Sequence, residues 1–126
     1  MLAIDTNVVV RILVRDDERQ ADMADAFIEG GAWVSLLVLT ESSWVLRNNY
    51  GVSSHQLAEM IELLLCHRDL VLQDADSVAA ALKMLRAKPS LGFSDCLILE
   101  CARKAGHLPL GTFDRKLAKS NGAQLL

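Results

Sequence analysis

The chain has 126 residues, of which 52% are hydrophobic, with a formal net charge of −3 and a pI near 5.5. This length supports one domain spanning 1–126 with a real hydrophobic core, and the apolar content excludes a disordered chain. The acidic balance excludes a non-specific nucleic-acid coat, which draws on clustered Lys and Arg, but leaves room for an enzyme whose acidic site holds cations against phosphates.

Short apolar runs alternate with helical periodicity, the pattern of an α/β protein whose parallel strands are flanked by helices. Residues 2–4 are the first strand candidate, followed by a short helix running to residue 13. A second helix is expected over 18–29, with Met23 and Phe27 at helical spacing and Gly30-Gly31 closing it. Residues 32–34 form the next strand, and Ser35 can cap a helix running to about residue 48. Ser53 and Gln56 fit a capping box, ahead of a stripe made by Leu57, Met60, Ile61 and Leu64. Residues 70–72 are a strand. Asp74 can cap the next helix, whose stripe is Val78, Leu82 and Leu85 and which Pro89 stops. Residues 93–105 are apolar nearly all round and predict a buried helix. The last strands are 108–112 and 123–126, with pairing beginning at Leu110 because Pro109 cannot donate to a ladder.

Four acids interrupt this pattern. Asp5 follows the first strand and Asp114 the fourth, and in open parallel sheets ligands bind beyond the carboxyl ends of strands. Glu41 has Leu37, Val38, Trp44 and Val45 as its helical neighbours, with no Lys or Arg at pairing distance along the helix. Asp95 opens the apolar helix, with Ile98 and Leu99 one turn on. Each acid has a plain structural use: Asp5 as a helix cap, Asp95 at a helix N-terminus, Asp114 in a turn. Gathered together they acquire another. Carboxylates about 4 Å apart repel by roughly 4 kcal/mol at an effective dielectric of about 20, and a divalent cation relieves that. Carboxylate oxygens suit Mg²⁺ or Mn²⁺.

Cys66, Cys96 and Cys101 are odd in number and lack a C-x-x-C, so neither a disulfide framework nor a zinc site is expected. They read as small core residues in a reducing compartment. His55, His67 and His107 show no ligand spacing. No run reaches the roughly 20 apolar residues of a membrane span, and the N-terminal run is too short for a signal peptide. A cytoplasmic protein is expected, and its apolar excess hints at a subunit or partner surface.

DTN at 5–7, Glu41 within VLTESSWVL, FSD at 93–95 and TFD at 112–114 resemble the four acidic motifs of PIN-domain nucleases, most closely the VapC-type toxins of toxin–antitoxin pairs. The resemblance implies a three-layer α/β/α sandwich with a central, mainly parallel twisted sheet of about five strands. It also implies that Asp5, Glu41, Asp95 and Asp114 form the Mg²⁺ or Mn²⁺ pocket of an endoribonuclease. Asn7 and Thr112 match positions that orient the acids through hydrogen bonds. Arg115 and Lys116 stand where some members carry a further acid, so one metal and two stay open. Arg11, Arg15, Arg47, Arg115 and Lys116 are the candidate contacts for RNA phosphates. A homodimer silenced by a cognate antitoxin is the implied assembly.

A Mg²⁺-binding receiver-like domain is the main alternative. It calls for Lys at the end of the last strand and an acceptor Asp ending a middle one, where this chain has AQLL and Gln73. A phosphatase of the haloacid-dehalogenase type calls for DxD at the first strand, and residue 7 is Asn. A catalytically silent PIN-fold binding protein is the third reading, set against the presence of all four acids.

Overall fold

In the computed structural model, which describes residues 1–126, the chain divides into two compact units, Met1–Ala75 and Asp76–Leu126. All five expected strands are present and every pairing is parallel, the α/β class read from the sequence. Hydrogen bonds group the strands three and two, one sheet in each unit.

The first unit runs β1 (Leu2–Ala3), α1 (Thr6–Val14), α2 (Glu18–Ile28), β2 (Ala32–Val34), α3 (Leu36–Asn49), α4 (Ser54–Cys66) and β3 (Leu70–Leu72). The sheet order is β1-β2-β3, with Leu2 opposite Ala32, Ala32 opposite Leu70 and Val34 opposite Leu72. Side chains alternate across a strand, so Ala32, Val34, Leu70 and Leu72 share one buried face while Trp33 and Val71 lie on the other, partly exposed. Parallel neighbours require crossover connections, which the helices supply.

Local chemistry sets the helix boundaries. Asp17 caps α2 by accepting from the Gln20 N–H at 3.0 Å, and Ser35 caps α3 by accepting from Val38 at 3.1 Å. The capping box at α4 is complete: Ser53 Oγ accepts from the Gln56 N–H at 3.1 Å and Gln56 Oε1 from the Ser53 N–H at 2.9 Å. Leu57, Ile61 and Leu64 are buried below it, with Met60 only partly covered.

One apolar pair at helical spacing faces outward. Met23 and Phe27 are 61% and 49% exposed, and α2 buries Ala21, Ala24 and Ile28 instead. Residues four apart share a face, but spacing does not say which face is inward. Here the small alanines lie on the buried side of the helix, which packs against α1.

The second unit begins as α5 (Ala75–Ala87) gets under way and continues with α6 (Phe93–Ala105), β4 (Leu110–Thr112), α7 (Arg115–Ala118) and β5 (Ala123–Leu125). Val78, Leu82 and Leu85 are buried as expected, joined by Ala81. Asp74 precedes α5 with φ of 51°, in left-handed backbone. Helix α6 buries Phe93, Cys96, Leu97 and Leu99, but Ile98 is 51% exposed, so its apolar surround is only partly covered. Gly106 ends it in left-handed backbone, its N–H bonded to carbonyls of the last turn. The ladder of β4 with β5 starts at Leu110, one residue after Pro109.

Of the three cysteines only Cys96 is a core residue; Cys66 is exposed and Cys101 half-buried. Cys66 is the last residue of α4, on the helix end that leaves the buried stripe.

Candidate active site

Asp5 stands where β1 ends and α1 begins. Its backbone is extended, and its Oδ1 accepts from the Val8 N–H at 3.2 Å, so the capping role is real. That role uses one carboxylate oxygen and leaves the other. Thr6 is next, 8% exposed, and its hydroxyl donates to Oε1 of Glu41 on α3, which packs against α1. Glu41 itself is exposed, and its neighbours Leu37 and Trp44 are 83% and 59% exposed, whereas α3 buries Leu39, Ser42, Ser43 and Leu46. The acid does interrupt an apolar stripe, but that stripe is the outer one. Its partner is a hydroxyl 35 residues away in sequence, not a cation.

In the second unit Asp95 occupies the first turn of α6, behind a Gly92 cap that offers no side chain. A helix N-terminus favours a carboxylate. Burial and the nearby Asp114 carboxylate outweigh this and hold the Asp95 carboxyl above its usual range. Asp114 caps α7, its Oδ1 accepting from the N–H groups of Lys116 at 2.8 Å and Leu117 at 3.0 Å. Thr112 Oγ1 accepts from the Asp114 N–H at 3.0 Å and so fixes the backbone that carries the acid.

Each unit therefore organises its own acids. Thr6 ties α1, which begins beside Asp5, to Glu41, and Asp95 is close enough to Asp114 to feel its charge. Neither unit by itself gathers three or more His, Cys, Asp or Glu side chains around one point. The donor chemistry fits a hard divalent ion. All the donors are carboxylates, the capping acids Asp5 and Asp114 each spend one oxygen on backbone N–H groups, and Glu41 spends one on Thr6.

Asn7 is exposed and bonds to no carboxylate; the α1 side chain that donates to one of the four acids is Thr6. A Thr at a helix start looks like ordinary helix-entry chemistry, so the sequence carries no signal for this bond. The five basic candidates also separate. Arg15 makes a two-pronged pair with Asp25 at 2.7 and 3.1 Å. Arg11 is held by Asp16, Gln20 and Tyr50, and Arg47 donates to the Val52 carbonyl at 2.8 Å. Arg115 and Lys116 are exposed with their charged ends unpaired, directly beside Asp114. His67 accepts from the Asp69 N–H through Nδ1, a local turn contact.

The model of the PIN domain family matches residues 2–122, which takes in all four acids. Comparison with individual curated proteins gives no match.

Proposed function

The chain belongs to the PIN domain family, and from that premise we propose that it is a metal-dependent endoribonuclease and the toxin of a VapBC-type pair. PIN domains are in general nucleases that use divalent metal ions. The match crosses the boundary between Ala75 and Asp76, and we take both units as parts of one PIN domain. The observation that carries the reading is the state of the acids. Four carboxylates stand at the four motif positions, and none is neutralised by a Lys, Arg or His of its own unit.

Asp5, Glu41, Asp95 and Asp114 are the residues that would hold Mg²⁺ or Mn²⁺. Such an ion, when bound, makes a water more acidic and neutralises charge on a phosphoryl transition state. Thr6 tethers Glu41 by a hydrogen bond, while the caps at Asp5 and Asp114 pin those carboxylates to helix starts. Asp114 would bind metal or orient the attacking water. Arg115 and Lys116 would meet the phosphates of the strand being cut; hydrolysis adds a water oxygen to phosphorus and releases the 3′ oxygen, so the products would carry 5′-phosphate and 3′-hydroxyl ends. A homodimer and an antitoxin complete the proposed assembly, and the exposed Leu37 and Trp44 supply apolar surface of the kind partners cover. No helix is long and apolar enough to cross a membrane, and a cytoplasmic site of action is part of the proposal.

Purified protein incubated with single-stranded RNA and Mg²⁺ or Mn²⁺ tests the chemistry. Cleavage should vanish in EDTA and in Asp5→Asn; cleavage indifferent to both would overturn the reading. Expression in a bacterial host tests the toxin role, with growth arrest expected and relief by Asp95→Asn.

A further inference from the structure

The outward turn of Met23 and Phe27 has a use. These two side chains and Val8 line a surface groove of about 440 Å³, and Asp5, Asn7 and Arg11 line it too. All of these residues lie in the first unit. We propose that this groove is a nucleobase subsite in which the base of a nucleotide flanking the scissile phosphate stacks on the Phe27 ring. The inference rests on the nuclease reading above and names what that site holds next to the metal.

Three observations select a base. Asp5 lines the groove, so a strand whose phosphate reaches that acid brings its adjoining nucleotide alongside Phe27. A phosphate is a poor occupant: Arg11 is the only cation lining the groove, and Asp16, Gln20 and Tyr50 already engage it. The Asn7 side-chain amide is exposed and without a protein hydrogen bond, and carries both donors and an acceptor for a base edge, while Gln20, also in the lining, spends its oxygen on Arg11 and keeps its amide N–H groups. Met23 supplies a polarisable wall one helical turn from Phe27. Single-stranded RNA is held in this way generally, by aromatic stacking combined with hydrogen bonds to unstacked base edges.

Phe27→Leu keeps the apolar bulk and removes the ring, while Phe27→Trp restores a stacking face. With oligoribonucleotide substrates in Mn²⁺, Phe27→Leu should raise KM roughly tenfold with little change in kcat. It should also flatten the preference for the base beside the cut, and Phe27→Trp should recover both. A second readout needs no cleavage. The wild-type chain in EDTA should quench a single-stranded oligonucleotide carrying 2-aminopurine, and Phe27→Leu should lose the quenching. Unchanged KM and base preference in Phe27→Leu would overturn the subsite and give the groove to a protein segment instead. Quenching without cleavage by the wild-type chain would retain the subsite and remove the nuclease. Cleavage without quenching would do the reverse.

Discussion

Thr6 on α1 donates its hydroxyl to Glu41 on α3, a hydrogen bond that joins the first and second acidic motifs through a residue that is not itself acidic. A hydrogen bond to a charged group contributes about 1.5–3 kcal/mol when shielded from water, and the exposure of Glu41 reduces that. For the metal-binding role proposed for Glu41 the larger consequence is orientation, since groups that hold metal-binding side chains commonly change metal affinity 10- to 100-fold when removed. Thr6→Val keeps the β-branched shape and deletes the donor. It should weaken Mn²⁺ binding by about tenfold while the thermal midpoint without metal moves by only a few degrees. Titration calorimetry together with thermal melts separates the two effects. A full loss of folding with no separable metal effect would show that the bond is structural only.

Asp95 gives a test with opposite signs in the presence and absence of metal. Its folded carboxyl is raised, by burial first and by Asp114 second. A raised acid favours the folded state below the unfolded carboxyl value of about 3.9, and that advantage is lost as pH climbs through the folded value. At neutral pH the charged Asp95 is therefore a liability in metal-free protein. Asp95→Asn should raise the melting temperature in EDTA at pH 7, with the gain shrinking as pH falls toward 4. The same variant should lose the stabilisation that Mg²⁺ or Mn²⁺ gives the wild type. Melting curves over pH, with and without metal, decide; a variant less stable than wild type in EDTA at pH 7 would contradict the assignment.

Element positions were legible because their signals are local. Ser35, the Ser53–Gln56 box and the β4 start after Pro109 depend on residues within a few positions of one another, and each lies where the sequence places it. Which way a stripe faces is not local. Met23 and Phe27 have helical spacing on either reading, and only the packing of α2 on α1 through Ala21 and Ala24 shows that they point outward. The same limit applies to the acids. Asp5 and Asp114 announce themselves by following strands, whereas the partner of Glu41 lies 35 residues away and leaves no local trace. Cysteine count argues against a disulfide framework but does not say that Cys66 finishes a helix in solvent.

The thiols should differ sharply in reactivity. Burial, reinforced by the charges of Asp95 and Glu100, pushes the Cys96 thiol up to about 11, so almost none is thiolate at neutral pH. Cys66 is exposed at the end of α4. Under native conditions iodoacetamide should modify Cys66 first and leave Cys96 unmodified until the protein is denatured. Peptide mass mapping over a time course reads this directly. Prompt native labelling of Cys96 would mean that α6 opens far more readily than its buried face implies.

The basic residues divide into committed and uncommitted charges, and binding should follow that division. Arg15 spends both ends of its guanidinium on Asp25, while Arg115 and Lys116 have unpaired charged ends beside Asp114. Each phosphate contact to a single strand contributes a slope of about −0.7 in log affinity against log salt. Replacing Arg115 and Lys116 together by Ala should raise KM for RNA and flatten that dependence by about 1.4, two contacts' worth. Arg15→Ala should leave the slope alone, because its charge already faces a carboxylate. Measuring KM at several salt concentrations tests both variants at once. A flattened slope in Arg15→Ala, with Arg115 and Lys116 silent, would move the RNA path away from Asp114 to the side of the first unit where Arg15 meets Asp25.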